Sequence, residues 1–214
     1  LDRLEERVQL MREAAARLIH EYKGQLSVLL ETSGGWLEGE GSIYRQLDAF
    51  EAFKDPRRKK TVFFLKLITE AGLFDVNDPQ HYIPIMDYHM QRVLLRSGCV
   101  EIPDRKLRKA LVHRQTLESD EPVRGACIEA LRIIASFGPH PITRMNDFFW
   151  TIGRSCCHEK TLCRSGTCEK SPCSFALIAE TADHSQCLFQ DLCPGAHDDH
   201  FLSLWQPVVK THYY

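Results

Sequence analysis

Seven of the nine cysteines in this 214-residue chain lie between residues 156 and 193, in the stretch SCCHEKTLCRSGTCEKSPCSFALIAETADHSQCLFQDLC. No other feature restricts the fold so strongly. An odd total makes a poor disulfide framework, and thiols this dense point to a bound metal in a reducing compartment. No Cys-x-x-Cys pair occurs, which counts against a zinc ribbon. The gaps are six residues from Cys156 to Cys163 (five from Cys157), four to Cys168, four to Cys173, and five from Cys187 to Cys193. Longer gaps suit the widely set iron corners of a cubane four-iron, four-sulfur cluster, with zinc as the alternative. The candidate ligands are Cys157, Cys163, Cys168, Cys173, Cys187 and Cys193.

The remainder of the chain reads as helices. Residues 1–31 place Leu4, Val8, Met11, Ala15, Leu18 and Ile19 close to helical spacing, and Ser33-Gly34-Gly35-Trp36 breaks the pattern. Residues 43–53 and 59–73 predict two helices joined by Lys54-Asp55-Pro56, where Asp55 caps and Pro56 opens the next helix. Further helices are predicted over 86–98, from Pro103 to about Ser119, over 121–137 and over 142–152. Alternating β-branched stretches are scarce. The expectation is an all-α fold: a helical region over 1–152, a cysteine-rich loop over 153–200 and a tail over 201–214. The chain opens on Leu1 and not Met, so a segment is expected upstream.

Charged residues make up 26% of the chain and the net charge is −2, which excludes a uniformly basic nucleic-acid binder but permits a basic face. Lys54, Arg57, Arg58, Lys59 and Lys60 form one cationic segment; Arg105, Lys106, Arg108, Lys109 and Arg114 form another. No apolar run is long enough to span a bilayer, so no membrane partner is expected, and the compartment is expected to be cytoplasmic, or nuclear in a eukaryote.

Three segments, in order, carry a family resemblance. Gly153-Arg154-x-x-Cys157 together with Cys187-x5-Cys193 resembles the iron–sulfur loop of endonuclease III-type DNA glycosylases, the helix-hairpin-helix superfamily. Asp87-x-His89-x-x-Arg92-Val93-x-x-Arg96 is similar to that family's Asp-Thr-His-x-x-Arg-Val-x-x-Arg, whose aspartate is the catalytic carboxylate. Arg58-Lys59-Lys60-Thr61 resembles Gly-Arg-Lys-Thr-Ala, which carries the lysine nucleophile of the bifunctional members. The likeness covers roughly residues 45–195.

The resemblance implies a base-excision glycosylase with AP-lyase activity, acting as a monomer on duplex DNA with a flipped, damaged or modified base. It implies Lys60 and Asp87 as catalytic residues and Lys54, Arg57, Arg58 and Lys59 as DNA contacts. A structural cluster would shape a loop offering Lys160, Arg164 and Lys170 to phosphates. The alternative is a non-catalytic iron–sulfur nucleic-acid-binding module on the same scaffold.

The chain also departs from the family. The hairpin stretch from Phe53 to Arg58 has no glycine where the family has Leu-Pro-Gly-Val-Gly. Three extra cysteines and about 14 further residues interrupt the cluster loop, leaving the remaining ligand open, with His184 a weaker rival. Asn77-Asp78-Pro79 to Pro84 is an insertion expected near the site. His89 is expected to be a structural histidine. Trp36 and Tyr82, in loops, are secondary candidates for stacking on a base.

Overall fold

The structure, a computed structural model, describes residues 3–166, 168, 172–180 and 185–213. Lys170 and His184, both considered above, lie outside the described residues. The fold is mostly helical, as the periodicity predicts. The only strands among the described residues, β1 (Thr116–Leu117) and β2 (Val208–Val209), form a short parallel pair. Among the same residues, no helix is long and apolar enough to cross a membrane. The chain divides into two compact units, residues 1–85 with 211–214, and residues 86–210.

In the first unit, the single helix suggested over 1–31 is two: α1 (Leu4–Tyr22) and α2 (Leu26–Thr32). Lys23 and Gly24 both turn left-handed between them, and the Lys23 and Gly24 amides close the end of α1 on the Leu18 carbonyl. α3 (Ile43–Asp48) is followed by a separate 3-10 turn at Glu51–Phe53, so the helix predicted over 43–53 is broken. Leu29, Leu37, Ile43, Leu47, Val62 and Leu65 are buried in this unit's core.

α4 (Lys59–Glu70) starts at the predicted residue and ends three residues short of the predicted 73. Asp55 is not its N-cap. Instead its carboxylate accepts from the amides of Arg57 (3.0 Å) and Lys59 (2.8 Å), tying a turn that enters the helix through left-handed Arg58. The insertion at 77–84 is clasped to the Gly-Gly loop. Asp78 accepts from the amides of Leu37 and Glu38, and Asn77 donates to Gly34 O and Gly35 O. Gly35 is required there: its φ is +80° and an added Cβ would lie 2.8 Å from Asp75 O.

The second unit is built around α5 (Tyr88–Arg96), buried from Met90 to Arg96. α6 (Arg105–Val112) follows, capped by Asp104, which accepts from the amides of Lys106 and Leu107. The prediction of helix to Ser119 fails because Arg114 turns left-handed and the chain enters β1. α7 (Glu121–Ser136) and α8 (Ile142–Ser155) both pack on α5. α8 runs three residues beyond the predicted end and takes Gly153 into the helix. α9 (Leu162–Ser165), α10 (Ser174–Ala179), α11 (Pro194–His197) and α12 (Asp199–Leu202) are single turns or little more, punctuating the cysteine-rich segment. Side chains at Leu94, Leu95, Leu111, Cys127, Leu131 and Phe175 are fully or nearly buried.

Candidate functional site

Asp87 is the N-cap of α5. Its side chain is 5% exposed, and Oδ1 accepts a hydrogen bond from the Met90 amide at 3.1 Å. A carboxylate here gains from the unpaired amides and the positive end of the helix dipole. Two turns of arginine follow it along α5, and both turn inward.

Arg92 is fully buried. It donates to Cys157 O (2.7 Å), to Gly153 O (2.6 Å) and to Gln206 Oε1, and its Nη2 lies 3.1 Å from His89 Nδ1. Burial pulls its pKa down to about 10, with Cys157 opposing the shift, so the guanidinium remains charged near neutral pH. Arg96, also buried, donates to Leu204 O (3.0 Å) and His158 O (2.9 Å), with Nη1 3.7 Å from Cys157 Sγ. The two guanidinium groups lie over the Trp205 ring at 4.6 and 5.2 Å. Helix α5 is therefore joined side chain by side chain to the start of the cysteine-rich segment and to the chain after α12.

Two glycines allow the backbones to approach. A Cβ on Gly153 would lie 2.7 Å from the His89 carbonyl carbon, and one on Gly195 would lie 2.8 Å from Arg96 O. Gly153 sits in regular helix, so the demand there is for space and not for an unusual dihedral angle. His89 packs its ring against Tyr88 and edge-on to Trp150 at 6.3 Å, beside Arg92.

The thiols leave α8 at its end, where the amides of Cys156 and Cys157 both donate to Ile152 O. Phe189 brings the Cys187–Cys193 segment back to α8, stacked on Phe149 at 6.1 Å and edge-on to Phe148 at 6.0 Å. Cys193 Sγ lies 3.5 Å from Arg96 O. Burial pushes the Cys187 thiol up to about 11, and Cys163, Cys157 and Cys193 add to the shift, opposed by a backbone hydrogen bond from Phe189. Cys193 is shifted up by burial too, with Cys157 and Cys163 contributing and the Gly195 and Ala196 amides opposing.

Cys157 and Cys163 each contribute to the upward shifts of both Cys187 and Cys193. Cys173 is buried at the start of α10 beside Phe175, and Cys168 is half-buried between residues that the structure does not describe. Among the described residues, no three His, Cys, Asp or Glu side chains are already drawn together closely enough to hold a metal ion. By residue type the thiols are soft donors. Backbone amides face the Cys187 and Cys193 sulfurs, and the Arg96 guanidinium lies beside that of Cys157.

Lys54, Arg57, Arg58, Lys59 and Lys60 belong to the first unit. Lys60, in the first turn of α4, is half-buried, and its pKa is lowered from the ordinary 10.5 by burial first and by Lys59 second. Lys54 pairs with Glu51. Arg58 pairs with Asp48 at 2.7 Å and lies over the Tyr44 ring at 4.7 Å, so its guanidinium is engaged within the fold. Arg57 and Lys59 are half-buried beside it. Tyr82 is a core residue, 9% exposed with its hydroxyl 3.2 Å from Thr69 Oγ1, and is not available to stack on a base. Trp36 is 52% exposed. Lys160 is exposed, and Arg164 pairs with Asp199 at 2.8 Å.

The inward turn of Arg92 and Arg96 goes beyond the motif spacing described above. The signal was available: two arginines in an otherwise apolar helical stripe require buried acceptors. Comparison with protein-family models, with curated proteins and with solved structures gives no match for this chain.

Proposed function

We propose that this protein is a DNA base-excision glycosylase of the helix-hairpin-helix, endonuclease III type, with AP-lyase activity through Lys60. One observation carries the reading. The helix capped by buried Asp87 is hydrogen-bonded, through Arg92 and Arg96, to backbone carbonyls of Gly153, Cys157 and His158 at the start of the cysteine-rich segment. A carboxylate held this rigidly suits the stabilisation of positive charge, which develops on a deoxyribose as its base departs. Cys157, Cys163, Cys187 and Cys193 would hold a four-iron, four-sulfur cluster, whose contribution would be structural.

Lys60 has the property a nucleophilic amine needs, because burial and Lys59 lower its pKa and enlarge the neutral fraction. Its nitrogen forms a bond to the anomeric carbon as the base leaves with the bonding electron pair. Loss of the amine protons and opening of the sugar ring give a Schiff base. Removal of the adjacent carbon-bound proton then expels the 3′ phosphate and cuts the strand. Borohydride trapping on a panel of modified-base and abasic duplexes tests the reading: a covalent complex and base release are expected. Absence of both from every duplex overturns it.

A second reading, a non-catalytic iron–sulfur nucleic-acid-binding module, draws on a specific feature. The turn before α4 lacks glycine, and two of its cations are already paired, Lys54 with Glu51 and Arg58 with Asp48. Duplex binding with neither trapping nor excision is the outcome that selects it.

A further inference from the structure

Helix α6 carries a cationic surface that the proposed chemistry does not use. Between residues 104 and 114 there are five Lys and Arg and a single carboxylate, Asp104, which is occupied in capping the helix. Ala110 and Leu111 face the core. Arg105, Lys106 and Lys109 are exposed, related by three and four residues and therefore on one side of the helix, with exposed His113 continuing the row. None of the three cations forms an ion pair among the described residues. Arg108 donates to His200 O, and Arg114, bonded to Glu159 at 2.6 Å and lying over Trp205 at 3.8 Å, closes the end of the row.

We infer that this face of α6 is a contact surface for the phosphate backbone of a DNA duplex. The inference rests on the nucleic-acid reading above but concerns a surface on the second unit, apart from Lys60 and the turn before α4. Unneutralised like charge on a rigid helix raises the local potential and attracts a polyanion. An eight-residue helix is roughly 12 Å long, and charges four residues apart are separated by about 6 Å along it. That length accommodates three or four phosphates of one strand at about 3.4 Å each along the duplex axis. A lipid surface is a poorer fit, because α6 exposes no large apolar side chain to enter a bilayer.

The test is the salt dependence of binding to an undamaged duplex, read by fluorescence anisotropy for the full chain and for the Arg105→Ala/Lys106→Ala/Lys109→Ala variant. The slope of log affinity against log salt is expected to lose about 2–3 units in magnitude, close to 0.9 for each phosphate contact removed. Affinity at low salt should fall by about tenfold or more. Arg105→Lys with Lys109→Arg, which preserves charge, should retain the wild-type slope. An unchanged slope in the triple-alanine variant overturns the inference while leaving the glycosylase reading intact. Conversely, the expected loss of slope without excision or trapping supports the surface and removes the enzyme. Wild-type binding to phosphatidylserine vesicles or polyglutamate in preference to duplex DNA, or to none of them, also overturns it.

Discussion

Gly153 of α8 lies directly against the backbone of His89 in α5, so close that a Cβ would come within 2.7 Å of the His89 carbonyl carbon and nearer still to its oxygen. The contact fixes how the Asp87 helix and the helix leading into the thiols pack. In an exposed helix interior, Gly→Ala stabilises by about 1 kcal/mol. Here the sign should reverse. Gly153→Ala must separate the two helices or distort one, with an expected cost of about 1–3 kcal/mol, typical of overpacking. Denaturant unfolding checks this, and a variant as stable as wild type or more so would contradict the contact.

The proposed cluster makes the cysteines at the end of the thiol segment a direct test. After anaerobic purification with iron supplied, the wild type should carry about four irons per chain. Cys187→Ser and Cys193→Ser should each lose most of the iron and much of the fold. Iron analysis with absorption near 400 nm and circular dichroism report the two effects. Stoichiometric zinc without iron would assign the thiols to the alternative metal.

Lys60 sets a pH prediction. Its pKa is lowered, so the neutral amine is populated at lower pH than for a free lysine at 10.5. The rate of borohydride-trappable complex formation should therefore rise with pH and reach half its limit below that value. Lys59 contributes to the lowering, so Lys59→Gln should raise the midpoint and slow trapping at neutral pH. Lys60→Ala should abolish trapping. If trapping survives in Lys60→Ala and disappears in Lys59→Ala, the nucleophile is Lys59.

Asp87→Asn separates capping from catalysis. The amide oxygen can still accept from the Met90 amide, so stability should change by less than about 1 kcal/mol. The lost charge should reduce base excision by about a hundredfold or more, with DNA affinity nearly unchanged. Excision at the wild-type rate would reduce Asp87 to a helix cap.

The sequence by itself determined the helical class, because apolar periodicity and caps such as Asp87 and Asp104 act within one turn of backbone. It also marked the thiol segment, because seven cysteines in so short a stretch are a local compositional fact. Tertiary structure decided what depends on residues far apart in the chain. Arg92 and Arg96 read locally as charges on an amphipathic helix, yet they are buried because carbonyls some 60 and 110 positions away satisfy them. Lys54 and Arg58 read as free cations until Glu51 and Asp48 arrive beside them. Tyr82 read as a loop aromatic until its loop was clasped against the Gly-Gly turn and its ring was taken into the core. The thiol segment is positioned the same way, by Phe189 docking on α8 and by Arg96 lying between Cys157 and Cys193. Spacing limits what a chain can bring together, but the packing of distant side chains selects among those possibilities.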